Sequence, residues 1–290
     1  MVKRIFSICL ISIIAIFINS CDKNGGAEDS IFGSKIISDH TVAKFSNLNS
    51  AKIEAAKAKL HIAYGHTSHG SQITTGMSGL VNFKGSQFAY NNGGSNGALD
   101  LRDSPFSGAS DLGNPNRTAW EAATRSYLAN HTDINVIMWS WCGQVSGASE
   151  QDINTYLSLM SNLEKDFPKV KFVYMTGHLD GSGLTGNLHL RNEQIRNFCN
   201  TNNKILFDFA DIESYDPDGN YYLDKAANDE CNYDSDGNGS RDKNWATIWQ
   251  NSHTQNVDWY NCGAAHSQPI NANMKAYAAW NLFCSIAEKM

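Results

Sequence analysis

The residue types able to do chemistry fall in a few short segments of this 290-residue chain. In Gly65-His66-Thr67-Ser68-His69-Gly70 a serine stands between two histidines, and glycines bracket the turn. A serine hydroxyl becomes nucleophilic only when a base takes its proton, and a tight turn frees backbone N–H groups to face a substrate. A second candidate base, His266, lies in Cys262-Gly263-Ala264-Ala265-His266-Ser267, ahead of the C-terminal helix-forming segment, and His178 follows Gly177 in a third segment. His66, His69, His178 and His266 together also carry the ligand type of an open catalytic zinc site, though no HExxH segment accompanies them. Cys142, in Trp139-Ser140-Trp141-Cys142-Gly143-Gln144, follows an apolar run and reads as a small buried hydrophobe rather than a catalytic thiol.

The elements that must hold these segments are legible as alternating patterns. Continuous apolar runs at 60–64, 134–141, 170–175 and 205–209 predict strands buried on both faces, as in a parallel sheet. Between them lie helix-period segments: an Ala/Lys-rich stretch at 47–58, and Ile153, Tyr156, Leu157, Met160 and Leu163 behind a Ser149/Asp152 capping box. Leu188, Ile195, Phe198 and Cys199 mark another helix, and a closing helix spans about 271–289. This alternation predicts an α/β fold, a three-layer α/β/α sandwich around a central parallel sheet. Ligands of such sheets bind at the carboxyl ends of the strands, where the segments at 65–70, 142–144 and 176–180 stand. Two stretches, 84–116 and 213–263, lack the pattern and read as long loop insertions.

The order of these parts, a serine after the first strand and a histidine before the last helix, resembles the SGNH/GDSL hydrolase superfamily over about residues 58–289. The resemblance implies a flavodoxin-like sandwich in which Ser68, in a block similar to HxSxG, attacks an ester carbonyl and His266 serves as base. It further implies that Gly93 or Gly94 and Gln144, the latter replacing an asparagine, hold the oxyanion; His66, His69 and His178, from their place at the strand ends, are candidate substrate-binding residues. Gly263 occupies the usual position of the orienting acid, so Asp258 is its expected replacement. The expectation is a serine esterase, with acetyl groups on a glycan as a candidate substrate and Tyr90, Trp245, Trp249, Trp259 and Tyr260 as sugar-stacking aromatics. A non-catalytic, calcium-stabilised surface binding protein and a zinc-dependent hydrolase are the alternatives.

The calcium element rests on a repeated pattern. Asp216, Asp218, Asn220 and Asp224 form one set of oxygen ligands, and Asp234, Asp236, Asn238 and Asp242 form a second with the same offsets. The second copy also has Gly239 at the sharp-turn position, and either ion would be structural.

Composition and termini bound the partners. With 41% hydrophobic and 18% charged residues the chain is a globular protein, not a disordered one. Residues 1–21 read as a secretory signal whose ending, Ile18-Asn19-Ser20-Cys21, resembles the lipobox of bacterial lipoproteins, which implies lipidation at Cys21. Residues 22–40 read as a tether and 41–290 as one domain, exported and held at the cell envelope by its lipid alone. Removing Lys3 and Arg4 from the 23 cations leaves 21 against 29 acids, which argues against nucleic acid as a partner. In an oxidising compartment Cys231 and Cys262, flanking one polar segment, are the expected disulfide.

Overall fold

The continuous apolar runs become the inner strands of a seven-stranded, wholly parallel sheet. The computed structural model describes residues 35–290; the expected signal segment, Cys21 and the expected tether up to residue 34 lie outside the described residues. In chain order the main elements are β1 (Ile37–Ser38), α1 (Ser50–Lys59), β2 (His61–Gly65), α2 (Ser71–Lys84), β3 (Tyr90–Asn91), β4 (Leu99–Asp103), α3 (Ala119–Asn130) and β5 (Val136–Trp139). They continue with α4 (Glu150–Asp166), β6 (Lys171–Met175), α5 (Asn187–Thr201), β7 (Ile205–Phe207), α6 (Phe209–Glu213), β8 (Asn232–Tyr233), β9 (Lys243–Asn244), α7 (Trp245–Ser252) and α8 (Pro269–Glu288).

The sheet order is β1-β7-β6-β5-β2-β4-β3. Side chains alternate across it with period two. Ile62, Tyr64, Met138 and Met175 pack into one core with α1, α2 and α8, while Ala63, Ile137, Trp139 and Tyr174 pack into the other with α3, α4 and α5. This is the expected three-layer sandwich. The Ser149/Asp152 capping box also forms, with both reciprocal bonds at the start of α4.

Two boundaries differ from expectation. Residues 35–40 belong to the domain: β1 pairs with β7, Ile37 opposite Leu206, and Ser38 Oγ donates to the Ala278 carbonyl at 2.8 Å. The stretch 84–116 supplies β3 and β4, whose short, partly polar sequences (Tyr-Asn and Leu-Asp-Leu-Arg-Asp) lack the apolar run of the inner strands. The stretch 213–263 remains loop-rich, holding α7 and the two-stranded β8–β9 ribbon.

The chain leaves β2 first toward β4 and later toward β5 on its other side, so the strand order reverses there. A reversal of this kind opens a crevice at the carboxyl ends of the strands.

Candidate active site

Two glycines without room for a side chain bring the turn after β2 onto the end of β5. A Cβ at Gly65 would stand 2.3 Å from the Trp139 ring, and one at Gly70 would stand 2.1 Å from Ser140 Oγ. Asp111, buried in the loop after β4, braces both turns: its carboxylate accepts from Thr67 Oγ1 at 2.6 Å and from Gln144 Nε2 at 3.2 Å. The Gln144 side-chain Oε1 in turn accepts the Cys142 N–H at 2.9 Å. Gln144 therefore commits its side-chain oxygen and one of its two N–H donors to holding the turn.

The consequence of this close approach is a relay that the sequence did not suggest. Cys142 Sγ lies 3.2 Å from His69 Nδ1, and His69 Nε2 lies 2.9 Å from Asp229 Oδ2. Burial is the largest influence on Asp229 and raises its pKa, but the His69 hydrogen bond and the charges of His178 and His69 outweigh it and hold it below the usual carboxylate range. An ionised carboxylate only accepts, so His69 Nε2 carries the hydrogen and Nδ1 turns its lone pair to the thiol. Burial also pushes the His69 pKa below its ordinary value, against the Asp229 hydrogen bond that raises it, and His178 lowers it further. The imidazole is thus kept neutral, ready to accept a proton. Asp229 is fixed by its backbone N–H on the Leu179 carbonyl at 3.1 Å.

Ser68, His178 and His266 join this group. Ser68 Oγ contacts Cys142 Sγ at 3.6 Å, while His266 is exposed and makes no side-chain hydrogen bond among the described residues. Its ring stacks on His69 with centroids 4.5 Å apart, and its backbone sits at φ +60. The His178 ring stacks on the other face of His69, 3.6 Å away and tilted by 1°. Asp258, the expected acid, is exposed and closes its own turn by accepting the Thr254 N–H at 2.8 Å. Gly93 donates its N–H to Asp100, which pairs with His61 at the amino end of β2, so Gly93 and Gly94 lie away from the crevice. His66 pairs with Asp103 and opens onto a separate cleft of about 170 Å³ with Ser104, Phe106 and Trp139.

A fully buried ion pair joins the segments that carry the three stacked histidines. Lys275 Nζ of α8 contacts Glu213 Oε1 at 2.6 Å and also donates to the side-chain Oε1 of Gln72. Glu213 accepts the Leu179 N–H at 2.8 Å, beside His178, and Gln72 donates to the Ala265 carbonyl at 2.5 Å, beside His266. Gln72 itself follows His69 by one turn. Burial lowers the Lys275 pKa, opposed by the charge of Glu213.

His69, His178 and Asp229 place three potential metal-ligand atoms within 4.8 Å of one another. The stacking works against joint ligation. An imidazole lone pair lies in the ring plane, and an ion midway between these parallel rings would sit about 1.8 Å off each plane with bonds of only about 2.1 Å. The acidic repeats close their own turns. Asp216 accepts from Asp218 N, Asn220 N, Asn220 Nδ2 and Tyr222 OH, while Asp234 accepts from the N–H groups of Gly237 and Gly239. Asp236 accepts from the Asn238 amide and Asp242 from Ser235.

The expected Cys231–Cys262 disulfide does not form. Both thiols are free: Cys231 Sγ lies against Ser267 Oγ at 3.4 Å and Cys262 Sγ against Asn273 Nδ2 at 3.4 Å, where burial pushes each thiol up to about 12. Within the segment between them, only residues 232–244 are closed into a loop by the β8–β9 pairing. Of the expected aromatics, Trp245, Trp249 and Tyr260 are buried in the core and Tyr90 is committed to Thr74 and Ser78. An open cleft of about 400 Å³ does reach the site at His266, lined by Glu230, Asn232, Asn244, Ser267 and Gln268. No known protein family, curated protein or solved structure matches the chain.

Proposed function

We propose that the protein is a hydrolase of carboxylic esters in which Cys142, rather than the expected Ser68, is the nucleophile. The observation that carries this reading is the unbroken relay from Cys142 Sγ through His69 to Asp229, at 3.2 and 2.9 Å. A nucleophile within hydrogen-bond reach of a base that a third group orients is the general arrangement of covalent acyl-transfer catalysis. Ser68, by contrast, touches the thiol and no imidazole nitrogen.

The step runs as follows. The thiol passes its proton to His69 Nδ1 as sulfur bonds the carbonyl carbon, and the carbonyl π electrons move onto oxygen. The N–H groups of Gly143 and Gln144, first in the 3-10 turn after Cys142, have no acceptor within that turn and are the donors at hand for this oxyanion. Collapse expels the alkoxide, which takes the proton from His69 and leaves as the alcohol. Water, deprotonated by the same His69, hydrolyses the thioester to the acid and restores the thiol.

The cleft at His266 carries one acid and several amide or hydroxyl side chains and no lysine or arginine. That lining suits a neutral, hydroxyl-rich leaving group better than an anionic one, which supports an acylated glycan as substrate. Export and lipid anchoring at Cys21 belong to the same proposal, since a surface protein meets such glycans.

The test is p-nitrophenyl acetate turnover and iodoacetamide labelling of wild type, Cys142→Ala and Ser68→Ala. Cys142→Ala should lose labelling at the active thiol and at least about 1,000-fold in rate. A serine nucleophile is the second reading, favoured only by the Ser68–Cys142 contact: it predicts that Ser68→Ala is inert while Cys142→Ala still turns over. Turnover by neither wild type nor variant on any ester would favour the non-catalytic binding protein.

A further inference from the structure

His178 holds a lone pair that no described residue uses. Its side chain is buried, only 8% of the residue being exposed, and Nδ1 is committed to the Leu179 carbonyl at 2.8 Å. The hydrogen therefore resides on Nδ1, and Nε2 is an acceptor that has no partner. Asp229 Oδ2 is 2.9 Å from His69 Nε2 and 4.0 Å from His178 Nδ1, so in the two parallel rings the remaining nitrogens face away from the carboxylate together. One of these, His69 Nδ1, meets the thiol. The other, His178 Nε2, lies 3.9 Å from the point where a side chain on Gly143 would begin, and apart from Cys142 and Gln144 no other described residue comes within 4 Å of that point. Gly143 is exposed and directly follows the nucleophile. The free acceptor is thus buried beneath Gly143, the residue that directly follows the nucleophile in the chain.

We propose that His178 is the specificity-determining residue of the site, its Nε2 accepting a hydrogen bond from a substrate O–H or N–H borne next to the scissile carbonyl. The inference rests on the thiol reading for which carbonyl is meant. A simple acetyl ester offers no such donor and leaves the nitrogen unpaired. A hydroxyacyl group offers an O–H on the acyl side, and an amide offers an N–H on the leaving side. Sites built around a buried polar partner reject analogues that lack it far more strongly than apolar pockets reject a missing methylene.

The experiment compares wild type with His178→Phe, which keeps a flat ring against His69 and removes the acceptor. Three substrates are used: p-nitrophenyl acetate with no donor, p-nitrophenyl glycolate with an acyl-side hydroxyl, and p-nitroacetanilide with a leaving-side N–H. Relative to uncatalysed hydrolysis of each compound, wild type should favour one donor-bearing substrate over the acetate by at least about 100-fold in kcat/KM. His178→Phe should shrink that advantage to under about tenfold. Preference for the glycolate assigns the donor to the acyl side, and preference for the anilide assigns it to the leaving group. Equal acceleration of all three by wild type overturns the inference, as does a variant that keeps the preference.

If His178→Phe does not fold, or wild type turns over none of the three, protection of Cys142 from iodoacetamide decides. Methyl glycolate or N-methylacetamide should protect and methyl propionate should not; equal protection by all three, or protection by none, overturns the inference. Turnover surviving in Cys142→Ala refutes the thiol nucleophile separately, because the glycolate-to-acetate ratio is read within each protein.

Discussion

Asp229→Asn separates a carboxylate that orients a base from one that merely packs beside it. Asp229 holds the hydrogen of His69 on Nε2, leaving Nδ1 free for the thiol. An asparagine can turn its NH₂ toward Nε2 as a donor, which moves the imidazole hydrogen to Nδ1, where it opposes the thiol instead of accepting from it. Loss of the correct tautomer in a nucleophile–base–acid set costs about 10³ to 10⁴ in rate, equivalent to about 4 to 5.5 kcal/mol of transition-state stabilisation. Folding should suffer much less. A charge-assisted hydrogen bond is replaced by a neutral one at a side chain that is 20% exposed, which sets the loss at about 1 kcal/mol. The assays are kcat/KM on the preferred ester, iodoacetamide alkylation of Cys142, and urea denaturation of the same samples. Rate and alkylation should fall together while the denaturation midpoint moves little. A folded Asp229→Asn protein within about fivefold of wild-type kcat/KM would falsify the relay.

Other outcomes follow from the same geometry. Because His69 must be neutral to accept the thiol proton and burial lowers its pKa from 6.5, the acidic limb of kcat/KM against pH should have its midpoint below 6.5; a midpoint above it contradicts the assignment. Lys275→Met leaves Glu213 buried without its cation and should lower stability by about 3 to 5 kcal/mol in urea denaturation, whereas Lys275→Met with Glu213→Gln should recover more than half of that. Gly65→Ala drives a methyl into the buried Trp139 ring and should cost about 1 to 3 kcal/mol and displace the Ser68–His69 turn, seen as slower Cys142 alkylation; wild-type behaviour in both assays argues against the close approach. A fragment beginning at residue 41 lacks β1 and the Ser38–Ala278 hydrogen bond and should unfold at lower urea than residues 35–290.

What the sequence displays follows from how local the cause is. The inner strands β2, β5, β6 and β7 are buried on both faces, so burial writes itself as an unbroken apolar run. The α4 capping box needs only four consecutive residues and is equally visible. The crevice could be located from strand ends alone, which is why Ser68, His69 and His178 were singled out. Asp229 could not be found this way: it lies 160 residues from His69 in an acid-rich loop where nothing local distinguishes it from its neighbours. Cys142 was masked by the apolar run before it, since a thiol beside tryptophans looks the same whether it packs or reacts. His266 has the right place in the chain order and the wrong bonding, because order along a sheet sets which loops meet but not which nitrogen faces which atom.

Asp111 gives the site a mechanical property. One carboxylate grips Thr67, two residues ahead of the base, and Gln144, two residues beyond the nucleophile. The two turns therefore cannot drift independently: a force applied to one, by a substrate wedging against Gly143 or by thermal motion of α2, is transmitted to the other through a linkage two hydrogen bonds long. The sulfur-to-nitrogen gap is preserved while the pair rocks as a unit. Cutting the linkage should widen the spread of that gap more than it changes its mean.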